Sequence, residues 1–181
     1  GFRPDLPASV VAAKPSHKVF MVDVSLSSNP DKFNVWIALL KAILDNNRDT
    51  IKTFHVLFFN IESFWWKGGP TPNTPANVKA LLADMNDLAL EGATDLGAAL
   101  RKAMSPPVIE KRLLPRELFL LSDGAATWGE SDLHAMSASL TGATLYAYRT
   151  GMSGTAGAAL NHLARETGGA VFSVVGEAEV A

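Results

Sequence analysis

Apolar residues fall along this chain in two rhythms. Dense runs of five to nine residues alternate with longer stretches in which they recur every three or four positions. The first rhythm predicts strands and the second helices. Residues 18–24 read KVFMVDV, a run that fits a strand buried on both faces. A helix start follows: Asn29 can cap, Pro30 suits the first turn, and Asp31 favours the positive end of the dipole. Phe33, Trp36, Ile37, Leu40 and Leu44 continue at helical spacing until Asn46 and Asn47. Residues 52–60 predict the next strand, and 64–66 a short antiparallel edge strand. The stretch 67–73 is a Gly- and Pro-rich loop. Thr74 and Pro75 open a second helix carrying Val78, Leu81, Leu82, Met85 and Leu88. Residues 92–95 break it and cap a third, with Leu96, Ala99, Leu100, Ala103 and Met104. Strands are then expected at 117–122, 143–148 and 170–175. Between them lie a helix capped by Ser131 and closed by Gly142, and another over 156–166 stopped by Gly168 and Gly169.

This alternation predicts an α/β domain: an open, mostly parallel sheet of six strands with helices on both faces. Residues 1–16, with three prolines and no period, read as an arm or linker, and 17–181 as the domain. The chain has 181 residues, of which 48% are hydrophobic, so one core can form without staples. It has no cysteine, which removes disulfide scaffolds, thiol catalysis and cysteine-ligated zinc. A net charge of −2 gives no pull toward nucleic acid, and no apolar run is long enough to insert in a membrane. A start at Gly1 rather than methionine suggests a piece of a longer protein with additional domains.

In such sheets ligands bind beyond the carboxyl ends of the strands, where the strand order reverses. Three places there carry oxygen donors: Asp23, Ser25 and Ser27 after the first strand; Thr94 in the loop before the third helix; and Asp123, which ends the strand at 117–122 and precedes Gly124. Two carboxylates and three hydroxyls form a hard set suited to Mg²⁺, with Mn²⁺ or Ca²⁺ as alternatives. Two carboxylates leave such an ion short of anionic donors, which an acidic side chain from outside can supply. The bland reading makes Asp23 a strand-end cap. Asp95 reads as a helix-start residue. His17, His55, His134 and His162 lie in separate elements without metal spacing and read as ordinary surface or core. Trp65 and Trp66 read as edge packing, and Met85, Met104 and Met136 as core.

Asp23-Val24-Ser25-Leu26-Ser27 resembles the DxSxS pattern of the metal-ion-dependent adhesion site of von Willebrand factor A domains. Gly92-Ala93-Thr94-Asp95-Leu96 resembles that family's threonine loop, and Ser122-Asp123-Gly124 its aspartate-ended strand. AATWGE at 125–130 and ARETGGAVF at 164–172 resemble inter-alpha-trypsin inhibitor heavy chains and their bacterial relatives. The resemblance covers about 18–175 and implies a Rossmann-like sheet with one short antiparallel edge strand, at Phe64–Trp66, and that Asp23, Ser25, Ser27, Thr94 and Asp123 hold one divalent cation. It further implies that this cation grips an Asp or Glu of a partner protein, with Leu26, Ser28 and Asp95 on the rim. Leu26 and Ser28 replace the glycine and methionine usual in the inhibitor-like pattern, a difference that bears on which partner fits. Family habit implies an extracytoplasmic or cell-surface setting, and a last helix that shifts with ligation. A second reading is a metal-dependent hydrolase or phosphatase of the haloacid dehalogenase type. It needs a second aspartate where Ser25 stands, and neither a nucleophile–base pair nor a glycine-rich phosphate loop is legible. A third is a subunit of a chelatase-like assembly.

Overall fold

The computed structural model describes residues 16–25, 30–108, 117–122, 133–150 and 155–174. The KVFMVDV run lies at the centre of the sheet as β1 (Ser16–Asp23). It pairs in parallel with β2 (Ile51–Phe59) on one side and β5 (Glu117–Leu121) on the other. Beyond β5 come β6 (Thr144–Thr150) and β7 (Ala170–Val174), also parallel. On the far side of β2, β3 (Ser63–Trp65) runs antiparallel against Leu57–Phe59, and β4 (Thr71–Pro72) antiparallel against Thr53–Phe54. The order is β3-β2-β1-β5-β6-β7, with β4 also on β2, which makes seven strands rather than the six expected. The additional one is a two-residue piece inside the Gly/Pro loop, too short to show a period of two. The direction of strand addition reverses between β1 and β5, so the carboxyl ends of these two strands flank the switch point.

Alternation along the strands sorts the core into two layers. Phe20, Val22, Phe54, Val56, Phe58, Phe119 and Leu121 pack with α1 (Pro30–Asn46) and α2 (Pro75–Asn86). Val19, Met21, Leu57, Phe59, Leu118 and Leu120 pack on the opposite face with α3 (Leu96–Ala103), α4 (Leu133–Ser139) and α5 (Thr155–Thr167). Each large side chain so buried contributes about 1.5–3 kcal/mol before ordering costs. Thr74 caps α2 as expected, accepting from the Asn77 amide. The helix stops at Asn86, however, with Asp87 as its C-cap, so Leu88 belongs to the following segment and not to the helix face. Gly169 marks a close approach of the α5–β7 turn to β6: an added Cβ would lie 1.8 Å from the Leu145 carbonyl oxygen.

The amino end of the sheet buries polar groups as well. His17 on β1 and His55 on β2 are 5% and 2% exposed, and His55 Nδ1 lies 2.7 Å from His17 Nε2. The ring of His55 also meets Trp65 edge-on at 5.3 Å, while Trp66 stacks on Phe54, so both tryptophans pack against the edge of the sheet. The proton positions in this chain follow from its far end. The Pro107 carbonyl, 2.9 Å from His55 Nε2, can only accept, so that nitrogen donates and His55 Nδ1 accepts from His17. His17 Nδ1 must then accept from the Thr53 hydroxyl at 2.8 Å. Burial, with His55 and Lys18 nearby, lowers the His17 pKa to about 4, and burial lowers that of His55, so both rings are neutral at neutral pH. On the opposite face Lys18, 1% exposed, pairs with Glu117 of β5 at 2.8 Å.

Candidate metal centre

Parallel pairing of Val22 with Leu121 brings the next residues, Asp23 and Ser122, level with each other at the switch point. Asp23 is 2% exposed. Its Oδ1 accepts from the Ser25 amide at 2.9 Å, the tight two-residue turn that aspartate favours at a strand end. Its Oδ2 accepts from Ser122 Oγ, also at 2.9 Å. Ser122 is fully buried and its amide donates to the Tyr148 carbonyl, so a residue anchored in the β5–β6 ladder orients the carboxylate. Ser25 is 1% exposed.

The third contributor arrives on a loop tied to both neighbouring strands. The Glu91 amide donates to the Val24 carbonyl at 3.1 Å, and Asn60, just past β2, donates from Nδ2 to the Glu91 carbonyl at 3.1 Å. The Asn60 carbonyl accepts from the Asp95 amide at 2.9 Å. Gly92 turns the chain between these anchors at φ +77°, a conformation that side chains resist. Thr94 comes out 1% exposed at the same end of the sheet. Asp95 is the N-cap of α3: its Oδ1 accepts from the Ala98 amide at 3.0 Å. At 6% exposure it has little surface to give to a rim, and its side chain serves the helix start.

Of the predicted ligands, Asp23, Ser25 and Thr94 are buried; Asp23 ends β1 with Ser25 just beyond it, and the loop that carries Thr94 is bonded to Val24 and Asn60 just past β1 and β2. Ser27 and Asp123 lie outside the described residues, as do Leu26 and Ser28 of the predicted rim. Among the described residues no three His, Cys, Asp or Glu side chains cluster as a metal site. The donor set in question is of another kind: one carboxylate with serine and threonine hydroxyls, hard oxygens that fit Mg²⁺ chemistry. Sequence reasoning missed Ser122 and Asn60. The signal for Ser122 was available, since a polar residue closing an apolar strand at the switch point must find a buried partner. Asn60 carried no such signal, because its role depends on the return of the chain 31 residues later.

Comparison with known proteins adds the following. The sequence profile described as von Willebrand factor type A domain matches residues 18–172. No curated protein matches the chain. Among solved structures, a von Willebrand factor type A protein from Catenulispora acidiphila superposes with TM-score 0.76 at 19% identity, covering 93% of this chain and 41% of that one. The pilus adhesin SpaC of Lactobacillus rhamnosus GG gives 0.72 at 11% identity, covering 93% and 29%. BatB, a conserved hypothetical protein from Bacteroides thetaiotaomicron, gives 0.69 at 14% identity, covering 89% and 91%. The chain thus spans nearly all of one neighbour and less than half of the other two, and at these identities the likeness is one of fold.

Proposed function

The chain belongs to the von Willebrand factor type A domain family, and from that premise we propose that it is a metal-dependent protein-binding domain. In this reading Asp23, Ser25, Ser27, Thr94 and Asp123 hold one divalent cation, Mg²⁺ in the first instance, which takes an Asp or Glu of a partner as a further ligand. When bound, the cation supplies a concentrated positive charge at the end of the sheet. The protein's part is to fix the oxygens around it and to bury them so that the contact is desolvated. The observation that carries the reading is the Asp23 carboxylate, clamped through both oxygens by Ser25 and Ser122 at the switch point, with the loop that carries Thr94 bonded through Glu91 to Val24.

A binding rather than catalytic role is also in keeping with the company this fold keeps, which includes a pilus adhesin. Nothing in the comparisons favours the phosphatase alternative. An extracytoplasmic or cell-surface setting, a shift of α5 on ligation, kinship with the inhibitor heavy chains and further domains in a longer parent belong to the same proposal. No helix among the described residues is long and apolar enough to cross a membrane.

The test is titration calorimetry of Mg²⁺, Mn²⁺ and Ca²⁺ into chelator-stripped protein, alongside Asp123→Ala and a Ser25→Ala/Ser27→Ala double variant. One ion is expected to bind the parent and neither variant, with both variants folded by circular dichroism. Equal binding by parent and Asp123→Ala sinks the assignment.

A further inference from the structure

A pocket of about 520 Å³ opens at the same end of the domain as the candidate metal centre, between the start of α1 and the end of α2. Phe33 and Met85, both buried in the core, form its floor, and Leu88 and Leu90 its wall. Pro30, Asn34 and Asn86 stand exposed at its mouth. No charged side chain lines it among the described residues. Its size falls within the range of pockets that enclose an organic group, and its lining suits an apolar one.

Position identifies whose group that is. Leu90 in the wall is followed directly by Glu91, whose amide is bonded to the carbonyl of Val24, the residue after Asp23. Backbones bonded in this way lie about 5 Å apart, and each residue step adds about 3.3–3.8 Å. Leu90 therefore stands on the order of 10 Å from Asp23. An extended segment covers that distance in about three residues, and side chains two or four apart point to the same side. A chain that places a carboxylate over Asp23 can thus lower a nearby side chain between α1 and α2.

We propose that this pocket is a second recognition subsite. It takes a large aliphatic or aromatic side chain of the partner, placed about two to four residues from the acidic residue that meets the metal. The neutral pocket and the cation together read a two-part motif, one anionic and one apolar. This rests on the metal-dependent reading above and adds to it the sequence class of the partner.

The probes are Gly/Ser peptides carrying one Glu, alone or with a Leu or Trp placed two, three or four residues to either side. They are titrated into the whole chain with Mg²⁺ or with chelator. The readouts are fluorescence anisotropy and the ¹³C-methyl resonance of Met85. The expected result is chelator-sensitive binding of the Glu-only peptide, strengthened at least about tenfold by the apolar residue at one spacing, with the Met85 methyl shifting only for that peptide. Asn86→Trp, which places an indole at the mouth, is expected to erase the tenfold gain and leave Glu-only binding intact. Chelator-sensitive binding with no dependence on Leu or Trp, and an unmoved Met85 methyl, overturns the subsite and leaves the metal reading standing. No chelator-sensitive binding by any peptide overturns both.

Discussion

The two ends of the sheet bury polar groups in opposite ways. At the amino end, Thr53, His17, His55 and the Pro107 carbonyl form a line in which every link has one donor and one acceptor, and the line is neutral. Lys18 and Glu117, on the other face there, neutralise each other. At the carboxyl end, the buried Asp23 carboxyl accepts from the Ser25 amide and the Ser122 hydroxyl. The amino-end groups are paired within the chain, whereas the carboxyl-end groups are those to which the proposal assigns a cation. On the proposed reading, polar burial serves stability at one end and binding at the other, a distinction that exposure alone does not make.

The largest effect that tests this contrast is expected at the amino end. Glu117→Ala strands the Lys18 ammonium in the sheet and should cost about 3–5 kcal/mol of unfolding free energy by urea titration. Lys18→Met/Glu117→Leu removes both charges and should restore most of it. A small loss in the single variant means that Lys18 reaches water and the pair is not structural. Next in size, Ser122→Ala removes the hydroxyl that orients Asp23 and is expected to weaken metal binding about 10–100-fold, with a smaller loss of stability. Unchanged affinity by calorimetry would show that Asp23 needs no such holder.

Acid should act on the amino end first. Because the His17 and His55 pKa values are lowered in the folded state, the unfolded chain binds protons that the native one refuses. Stability from this source is full above the ordinary value of 6.5 and, for His17, falls as pH drops from there toward about 4 by up to about 1.4 kcal/mol per pH unit, with His55 acting in the same direction. In urea titrations at pH 7, 6 and 5, His17→Gln/His55→Gln should flatten that slope; an equal slope in parent and variant assigns the loss to other groups. The smallest change is Asp95→Ala, about 1 kcal/mol from the lost cap of α3, while Asp95→Asn retains it. If Asp95→Asn abolished metal binding while keeping stability, the residue would belong to the site after all.

The legible part of this fold was what period and caps can carry. Residues 18–24 announced a doubly buried strand, Thr74 announced α2, and the alternation of elements placed both helical layers. Three features were not legible for physical reasons. Thr71–Pro72 is too short to have a period. Leu88 keeps helical spacing beyond the point where α2 stops at Asn86, since spacing does not show where the backbone ceases to hydrogen-bond. His17 and His55 meet only through the register that sets Thr53 beside His17 and His55 beside Val19, a long-range fact. At the site, the positions of Asp23 and Ser25 at the sheet's carboxyl end followed from a strand end alone, whereas the return of the Thr94 loop to that end and the hydrogen bonds of Ser122 and Asn60 depend on how distant strands and loops align.

The two scraps of antiparallel strand on β2 have a consequence of their own. β2 is the stretch IKTFHVLFF, the kind of segment that recruits copies of itself when its edge is bare. Ser63–Trp65 and Thr71–Pro72 occupy that edge, and what they leave outermost is only three residues and a proline-bearing pair. During synthesis at about 5–20 residues per second, the first guard is complete within about a second of the strand it covers and the second within about three seconds. The chain thus carries its own protection against aggregation immediately downstream of its most adhesive strand.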